Sequence, residues 1–278
     1  MEFRDATIRQ INPKEWQRRS AKTEDCGQTI KTDTVISVDG VPRIVYIARM
    51  KNPAIEAARK AVQSVRYDTS TRTSGLVSTS RIFGYAPRNV LRGHACRAVS
   101  MAINHPEEHK AICKAATFVD EQYRQWFPKV HASHVDALKK VKPEWIIPGS
   151  VFTSGIVNYN NPLQYHFDAG NFAKVCSAMV GFRHKTDGGY LACPEIDTAF
   201  EIGDRSLILF DGQSLLHGVT PIHRKANDSF RYTIVYYSLK QMWNCETVSG
   251  EIDALRARRS AIEAKAASTQ KAATRGKQ

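Results

Sequence analysis

The sequence predicts an α+β protein in which the β-rich second half forms a jelly roll or a related barrel, supported by helices from the first half. From Trp145 onward, short β-rich segments are interrupted by Gly, Pro, Asn and Asp, which favours a jelly roll over a doubly wound sheet. Before that point, apolar residues recur at helical spacing. With 278 residues, 42% of them hydrophobic, the chain is long enough for one domain with appendages.

Residues 1–80 are predicted to be an N-terminal extension that packs on the core. Thr34–Val38 and Arg43–Ala48 are typical of strands because β-branched and aromatic residues dominate them. Pro53 begins a predicted helix that ends near Val65, since proline is tolerated in the first helical position. The stretch Asp68–Ser80, rich in Ser, Thr and Gly, is predicted to be a mobile loop.

The core is predicted over residues 81–249, with helical support over 104–140 and the β-rich part over 145–240. Asn104 and Pro106, followed by two acids, are typical of a helix start. Apolar residues follow at helical spacing, so this helix should pack one face on a sheet. They are Ile112, Ala115, Val119, Tyr123 and Trp126. A second short helix is predicted over His131–Lys140.

The β-rich part contains six candidate strands, each bounded by turn-forming residues. They are Ser150–Tyr159, Phe172–Phe182, Gly189–Cys193, Ser206–Phe210, Leu216–Pro221 and Arg231–Leu239.

Composition indicates a soluble protein with an anionic partner. The net charge of +13 favours a polyanion such as nucleic acid. No apolar run approaches the roughly 20 residues that span a bilayer, and the first residues lack a signal-peptide core, so a cytoplasmic monomer is expected. The six cysteines are scattered without a Cys-x-x-Cys pair and are expected to be free thiols in a reducing compartment.

Residues 250–278 are predicted to be a basic C-terminal tail, a short helix followed by flexible chain. From Ile252 to Gln278 there are seven basic residues and two acids. Such a tail can bind phosphates, or it can be a solvated end without a specific role.

His166, Asp168 and His217 have the side chains of the two-histidine, one-carboxylate triad that holds non-haem Fe(II). In an extended strand, residues i and i+2 point to the same face, so His166 and Asp168 can grip one ion. His134 and Asp136 have the same spacing but lie in a helical pattern, where positions i and i+2 point about 200° apart. His134 is therefore expected to be an ordinary surface histidine.

Two further residues bear on this site. His223 is the rival distal ligand, but it lies in a polar run typical of a turn, whereas His217 lies among apolar residues. Arg231 and Thr233 share a face of their predicted strand, and a guanidinium with a hydroxyl can bind a carboxylate together.

At these motifs the chain resembles the Fe(II)/2-oxoglutarate-dependent dioxygenases with a double-stranded β-helix (cupin-like) core. The branch it resembles contains the base J-binding-protein thymine hydroxylases, the ten-eleven-translocation 5-methylcytosine oxygenases and their bacteriophage relatives. The resemblance covers roughly Arg81 to Leu239. It lies in His166-Phe167-Asp168, His217-Gly218-Val219-Thr220-Pro221, Arg231-Tyr232-Thr233, Phe152-Thr153-Ser154, Asn158-Tyr159-Asn160, Asp168-Ala169-Gly170-Asn171, Gly188-Gly189-Tyr190-Leu191, Gly203-Asp204 and Phe210-Asp211-Gly212. Without a cysteine-rich zinc region or a large DNA-binding domain, a compact, phage-like member is expected.

The resemblance implies an enzyme that uses Fe(II), 2-oxoglutarate and O2 to hydroxylate the 5-methyl group of thymine or 5-methylcytosine in DNA. The cosubstrate would contact Arg231, Thr233 and Asn158. Because a stacked base cannot reach the iron, it must be flipped out or single-stranded.

Candidate base contacts are Asn160, Asn171 and a stacking Phe172. Basic side chains upstream are candidates for holding phosphates. They are Arg81, Arg88, Arg92 and Arg97. The alternatives are an oxygenase acting on a protein side chain or a small molecule, and a nucleic-acid-binding barrel without catalysis.

Overall fold

A computed structural model describes residues 1–71, 77–89 and 93–275 of the chain. Its strands are β1 (Glu2–Asp5), β2 (Gln28–Ile30), β3 (Thr34–Val38), β4 (Val41–Ile47), β5 (Asp68–Thr71), β6 (Val77–Ala86), β7 (Arg97–Ala98), β8 (Ser154–Tyr159), β9 (Leu163–His166), β10 (Ser177–His184), β11 (Thr186–Gly188), β12 (Leu191–Cys193), β13 (Thr198–Phe200), β14 (Ser206–Phe210), β15 (His217–Val219), β16 (Ile222–Arg224) and β17 (Phe230–Tyr237). Its α-helices are α1 (Pro13–Trp16), α2 (Pro53–Ser64), α3 (Ser100–Asn104), α4 (Pro106–Trp126), α5 (Pro128–Leu138) and α6 (Val248–Arg275).

Two antiparallel four-stranded arrays form the centre of the fold. One has the order β14-β10-β17-β8, and the other has the order β13-β12-β15-β9. Strands that follow one another along the chain alternate largely between the two arrays, which is the arrangement of a jelly roll. The first array is extended by β4, β3 and β1 at one edge and by β6 and β5 at the other, and β2 extends the second array beyond β13.

Apolar side chains fill two layers, one between the arrays and one between the larger sheet and the helices. The layer between the arrays includes Ile36, Met179 and Phe210. The helical layer includes the inner face of α4, where Ile112 and Val119 are fully buried. The helical spacing read from the sequence therefore correctly predicted which face of α4 packs on the sheet.

The N-terminal residues are built into both sheets. β4 hydrogen-bonds β14, and β2 pairs with β13 in parallel. The predicted loop Asp68–Ser80 is wrong at both ends, because β5 and the start of β6 pair there in antiparallel register. Ser and Thr suit a pleated sheet edge as well as a loop, so composition could not distinguish the two. Residues 72–76, between these strands, lie outside the described residues.

Strand boundaries in the second half follow the sequence prediction best where the strands are buried and long. Ser206–Phe210 was predicted with its observed bounds, and β17 begins one residue before the predicted start. The prediction missed β9 and β13, which are short and are defined by their pairing partners. Phe172 lies outside β10, since that strand begins only at Ser177.

Four cysteines are free, as expected, but Cys96 and Cys245 form a disulfide with an S–S distance of 2.05 Å. The two residues are 149 positions apart, a separation from which no sequence pattern could predict pairing. The expectation of six free thiols is wrong for this pair. Among the helices that the structure describes, none is long and apolar enough to cross a membrane.

Helix α6 is longer than the short helix expected for the tail, since it continues to Arg275. Its first turn is anchored by Glu251, whose side chain is almost fully buried. That carboxylate accepts hydrogen bonds from the backbone N–H of Cys96 at 3.1 Å, from that of Glu246 at 2.9 Å and from Arg88 Nη2 at 2.6 Å. The tail is therefore tied to the core at its beginning.

His134 is a core residue, so the expectation of a surface histidine is wrong. Its side chain is 0% exposed, and Nε2 lies 3.0 Å from Ser238 Oγ. It packs edge-on against the rings of Phe152 and Phe172, which the helical spacing of His134 and Asp136 did not reveal. Asp136 is exposed and pairs with Lys139, so its side chain lies at the surface while that of His134 lies in the core.

We expect His134 to make the fold acid-labile. Burial, and then the neighbouring His131, lower the pKa of His134 from 6.5 to about 3. Below about pH 6.5 the unfolded chain therefore binds a proton that the folded chain excludes, and stability falls as the pH drops towards 3, by up to about 1.4 kcal/mol per pH unit. Urea unfolding of wild type and His134→Gln between pH 7 and 4 should give the shallower dependence for the variant. Equal slopes would contradict this prediction.

Candidate metal centre and cosubstrate pocket

His166, Asp168 and His217 converge at one end of the smaller sheet. His166 is the last residue of β9, His217 is the first residue of β15, and the two are direct partners in the antiparallel register. Their ring centroids are 4.4 Å apart. One ligand atom from each of the three side chains lies within 4.8 Å of the other two. Asp168 lies two residues past the end of β9, in a turn rather than in the extended strand that the sequence suggested.

Backbone carbonyls orient both imidazoles. His166 Nδ1 lies 2.8 Å from the carbonyl oxygen of Gln164, and His217 Nδ1 lies 2.9 Å from that of Leu215. A carbonyl can only accept, so each Nδ1 carries a proton, and Nε2 is the ring nitrogen that is left to bind a metal. The two Nε2 atoms lie 3.6 and 3.9 Å from Asp168 Oδ1. Three donor atoms of the types that bind non-haem Fe(II) therefore face one point.

Asp168 is held at its backbone and at its side chain. The Asp168 backbone N–H donates to the carbonyl oxygen of Gly212 at 2.8 Å, and Asn171 Nδ2 donates to Asp168 Oδ2 at 3.2 Å. Asn171 is positioned in turn by a 3.0 Å hydrogen bond to Ser177 Oγ. A side chain on Gly212 would overlap Asp168 Oδ2, so the missing Cβ at this position is what lets the carboxylate lie where it does.

The three candidate ligands open into a cavity of about 350 Å³ between the two arrays. That volume is sufficient for small-molecule ligands. Its apolar lining comes from both sheets, and its polar lining is mostly amide and hydroxyl. The apolar side chains include Leu163, Met179, Leu191, Phe210 and Val219, and the polar ones include Asn158, Asn161, Asn171 and Thr233. The exposed backbone of Ala169–Gly170 lies at the mouth.

Arg231 lies on the same face of β17 as the cavity-lining residues Thr233 and Val235, because side chains alternate along a strand. It is 1% exposed, and its Nε and Nη2 have no hydrogen-bond partner among the described residues. Burial, and then the neighbouring Arg183, lower the pKa of Arg231 to about 9. A buried cation without a partner is costly, so this environment favours an incoming anion.

Gly189 provides the space that Arg231 occupies. It has a φ of +66°, and a Cβ there would lie 2.6 Å from Arg231 Nε. Two other arginines of this half of the chain, Arg183 and Arg224, donate to backbone carbonyls. Arg183 Nη2 donates to the carbonyl oxygen of Thr186 at 2.6 Å, and Arg224 Nη2 donates to that of Asn227 at 2.5 Å.

Asn158 and Thr233 are direct partners on β8 and β17, with Asn158 Nδ2 3.5 Å from Thr233 Oγ1. Asn161, which the sequence analysis did not single out, fixes this pair to β6. Its Nδ2 donates to Asn158 Oδ1 at 3.3 Å, and its Oδ1 accepts from the backbone N–H of Thr79 at 2.8 Å. Three asparagines at the end of β8, Asn158, Asn160 and Asn161, are visible in the sequence as candidate polar contacts. Their spacing did not show which of them faces the cavity.

The structure gives Asn160 and Phe172 other tasks than the predicted base contacts. Asn160 has a φ of +48°, and its Oδ1 accepts from the backbone N–H of Arg231 at 2.8 Å, which closes the turn after β8. Phe172 is 1% exposed and stacks on Trp243 at 4.8 Å inside the helical layer. Neither residue lines the cavity. Asn160 lies one residue past the end of β8, in the left-handed region, and this conformation directs its side chain to the Arg231 backbone.

The predicted phosphate contacts are mostly engaged within the protein. Arg81 is buried and pairs with Asp68 at 2.9 Å, and Arg88 pairs with Glu251. Arg97 Nη1 donates to the carbonyl oxygen of Ala95 at 3.2 Å. Arg92 lies outside the described residues.

His223, the rival distal ligand, lies on β16 opposite Asp187 and outside the cluster of three. His217, and not His223, is the histidine that the structure brings beside His166 and Asp168.

Residues 82–240 match the model of the Tet_JBP family, the oxygenase domain of the 2OGFeDO superfamily. The chain belongs to this family. The match spans more than half of the chain and nearly coincides with the region, Arg81 to Leu239, over which the motifs resemble the branch. Membership implies Fe(II) and 2-oxoglutarate as the cofactor and cosubstrate of the domain.

Two relatives are bifunctional helicase and thymine dioxygenase JBP2 proteins. The chain is 30% identical to the one from Trypanosoma brucei brucei over 122 residues, 43% of this chain and 11% of the relative. It is 29% identical to the one from Leishmania braziliensis over 119 residues, 43% of this chain and 10% of the relative. The chain thus spans about a tenth of the length of these relatives.

The fold is also similar to that of NgTET1 in its solved complex with 5mC DNA. The TM-score is 0.59 at 13% sequence identity, and the match covers 81% of this chain and 86% of NgTET1. At that identity the likeness establishes the fold, which agrees with the double-stranded β-helix core expected from the sequence. The origin from a bacteriophage stays a prediction.

Proposed function

We propose that this chain is a dioxygenase that hydroxylates the 5-methyl group of thymine or 5-methylcytosine in DNA. One observation carries the proposal. A triad of iron-binding type lines the cavity between the two sheets, and a buried arginine, whose Nε and Nη2 have no hydrogen-bond partner among the described residues, lies on the face of β17 that carries the cavity residues Thr233 and Val235. An iron ligand set with a separate site for the far end of a dicarboxylate is what a 2-oxoglutarate-dependent reaction requires.

His166, Asp168 and His217 would hold the iron through two imidazole nitrogens and one carboxylate oxygen. When bound, Fe(II) supplies the activation of O2, and the overall reaction converts a methyl C–H bond, O2 and 2-oxoglutarate into a hydroxymethyl group, succinate and CO2.

Arg231 would form an ion pair with the distal carboxylate of 2-oxoglutarate, and Thr233, two residues along the same strand face, would donate a hydrogen bond. Asn158, held by Asn161, would orient the Thr233 hydroxyl. The protein thus binds and orients the reactants and excludes water from them.

Three features support a methylated base in DNA as the substrate. The JBP2 relatives are named thymine dioxygenases, and the NgTET1 complex contains 5mC DNA. The cavity near the triad has an apolar side formed by Leu191, Val219 and Phe210, which suits a methyl group. The net charge of +13 favours a polyanion. A base can enter the cavity only after leaving the stack.

The test is to incubate the protein with Fe(II), ascorbate and 2-oxoglutarate, using DNA that contains thymine alone or thymine and 5-methylcytosine. Digestion to nucleosides and mass spectrometry should detect 5-hydroxymethyluracil or 5-hydroxymethylcytosine. Asp168→Ala is the control and should give neither, because it removes one of the three ligands.

No oxidised pyrimidine from either DNA would overturn the proposal. If 2-oxoglutarate were consumed equally with and without DNA, the substrate would be a protein side chain or a small molecule. If DNA were bound without consumption of 2-oxoglutarate, the chain would be a non-catalytic barrel.

A further inference from the structure

A segment outside the family match, Trp16–Ser20, covers the edge of the smaller sheet next to the metal cluster. We call it the strap. β9 is the edge strand of that sheet, and Ser20 bridges Gln164 of β9 in antiparallel register. The strap continues towards the metal end, because the backbone N–H of Arg18 donates to the carbonyl oxygen of Tyr165 at 3.0 Å. Arg18 therefore lies beside the end of the strand that carries His166.

The strap contains a β-bulge. The Arg18 N–H donates to the carbonyl oxygen of Tyr165, and the Tyr165 N–H donates to the carbonyl oxygen of Arg19 at 2.9 Å. Arg18 and Arg19 of the strap therefore lie opposite the single residue Tyr165 of β9. Arg18 has a φ of +68°, in the left-handed region that favours glycine. Bulges next to active sites redirect a side chain, and an arginine kept in a glycine conformation points to a use for its guanidinium.

The packing of the strap makes this bulge rigid. The ring of Trp16 meets that of Tyr165 edge-on at a centroid distance of 5.3 Å. Ala21, directly after the strap, is 2% exposed, and its Cβ would lie 2.8 Å from a Cβ added to Gly218. Gly218 follows His217. The strap and its continuation thus contact both strands that carry the candidate histidine ligands.

The strap and the residues beside it carry an excess of positive charge. Residues 13–22 contain Lys14, Arg18, Arg19 and Lys22 against one acid, Glu15. Arg19 is engaged, because it pairs with Asp25 and its Cζ lies 4.4 Å from the centre of the Trp16 ring. Arg18 is exposed, and its guanidinium has no hydrogen bond or ion pair in the part of the chain that the structure describes. Of the two strap arginines, Arg18 is therefore the one that is available to a ligand.

We propose that Arg18 binds a backbone phosphate of the DNA strand whose base enters the cavity. The inference rests on the proposed function, since it assigns one phosphate contact to that substrate. A base held near His166 leaves its own phosphates outside the cavity mouth, next to β9, and a guanidinium there neutralises one of them. Arg81, Arg88 and Arg97, the upstream arginines that were expected to hold phosphates, make contacts within the protein, whereas Arg18 beside β9 has an exposed guanidinium.

Arg18→Gly is the informative variant, because glycine removes the charge and fits the positive φ. Arg18→Lys keeps the charge. Lys51→Gln is the matched control. Lys51 is exposed and lies near the start of β14, because the N–H of the preceding Met50 donates to the carbonyl oxygen of Arg205. The cavity is at the other end of β14, where Phe210 lines it. This control removes one positive charge at the far end of the barrel.

The measurement is fluorescence anisotropy with a labelled duplex that contains 5-methylcytosine and thymine, over a series of salt concentrations and without iron. For Arg18→Gly we expect a Kd for the duplex that is several-fold higher at low salt. The slope of log K against log salt should be smaller in magnitude by roughly 0.9, the value for one phosphate contact. Arg18→Lys and Lys51→Gln should stay near wild type. Thermal unfolding should show Arg18→Gly to be at least as stable as wild type.

If Arg18→Gly and Lys51→Gln reduced binding equally, the effect would be net charge alone and the inference would be wrong. If wild type bound and oxidised DNA while Arg18→Gly kept the full salt slope, the inference would fail and the proposed function would stand. Wild type that neither bound nor oxidised DNA would overturn both.

Discussion

Replacing Gly212 with alanine should abolish most iron binding and catalysis while leaving the fold intact. The added Cβ would overlap Asp168 Oδ2 and would lie 3.1 Å from Asp168 Cγ and 3.3 Å from His217 Cε1. The carboxylate must then rotate away from the two imidazoles, because its own backbone N–H is tied to the Gly212 carbonyl. Loss of ligand orientation typically lowers metal affinity by about 10- to 100-fold, and activity should fall at least as much.

Gly170→Ala is the matched control for this prediction. Gly170 lines the same cavity, but a Cβ there would meet only Leu239 Cδ2, at an ordinary 3.5 Å. Titration with Fe(II) under anaerobic conditions, together with the rate of formation of oxidised nucleosides, should separate the two variants. If Gly212→Ala bound iron as tightly as Gly170→Ala, the Asp168 carboxylate would not depend on the missing Cβ at position 212.

Arg231→Met should raise the stability of the protein without ligands and remove its response to 2-oxoglutarate. The guanidinium is fully buried with two nitrogens lacking partners, so an apolar side chain of similar length relieves an uncompensated charge. The same change removes the partner of the distal carboxylate. Losing one partner of a buried charge pair costs about 2–5 kcal/mol, which predicts a rise in the Kd for 2-oxoglutarate of at least tenfold.

Thermal unfolding with and without 2-oxoglutarate measures both effects. The wild type should gain Tm on adding 2-oxoglutarate, and Arg231→Met should start at a higher Tm and gain almost nothing. Arg183→Met is the control. Arg183 is hydrogen-bonded to Thr186 and Gly188, so its loss should lower Tm but keep most of the response to 2-oxoglutarate. A full response in Arg231→Met would assign the cosubstrate carboxylate to another cation.

The sequence singled out His166, Asp168 and His217 as candidates because they lie in motifs whose chemistry is local, and the structure brings their ligand atoms within 4.8 Å of one another. His166 and Asp168 are close along the chain, and His217 is distinguished from His223 by its apolar neighbours. The helical face of α4 was also predictable, since periodicity reports burial directly. The site is therefore the part of the molecule for which short-range patterns carried the most information.

Sequence reasoning failed where long-range partners decide the outcome. His134 has polar neighbours in the chain but is buried by rings from Phe152 and Phe172. The Cys96–Cys245 disulfide and the Arg88–Glu251 ion pair join residues more than a hundred positions apart. Asn160 and Asn161 are adjacent, yet their side chains diverge because Asn160 has a positive φ. Asn160 accepts from the backbone N–H of Arg231, whereas Asn161 lines the cavity.

The sequence by itself determined the fold class, the three candidate metal ligands and the candidate anchor for 2-oxoglutarate, because each is written in residue types at local spacing. Only the tertiary structure decided which polar groups remain without partners. It brought His217 opposite His166, left Arg231 buried and unpaired, and placed Arg18 beside β9. The physical reason is that burial and pairing depend on strands distant in sequence, whereas the chemistry of a side chain does not.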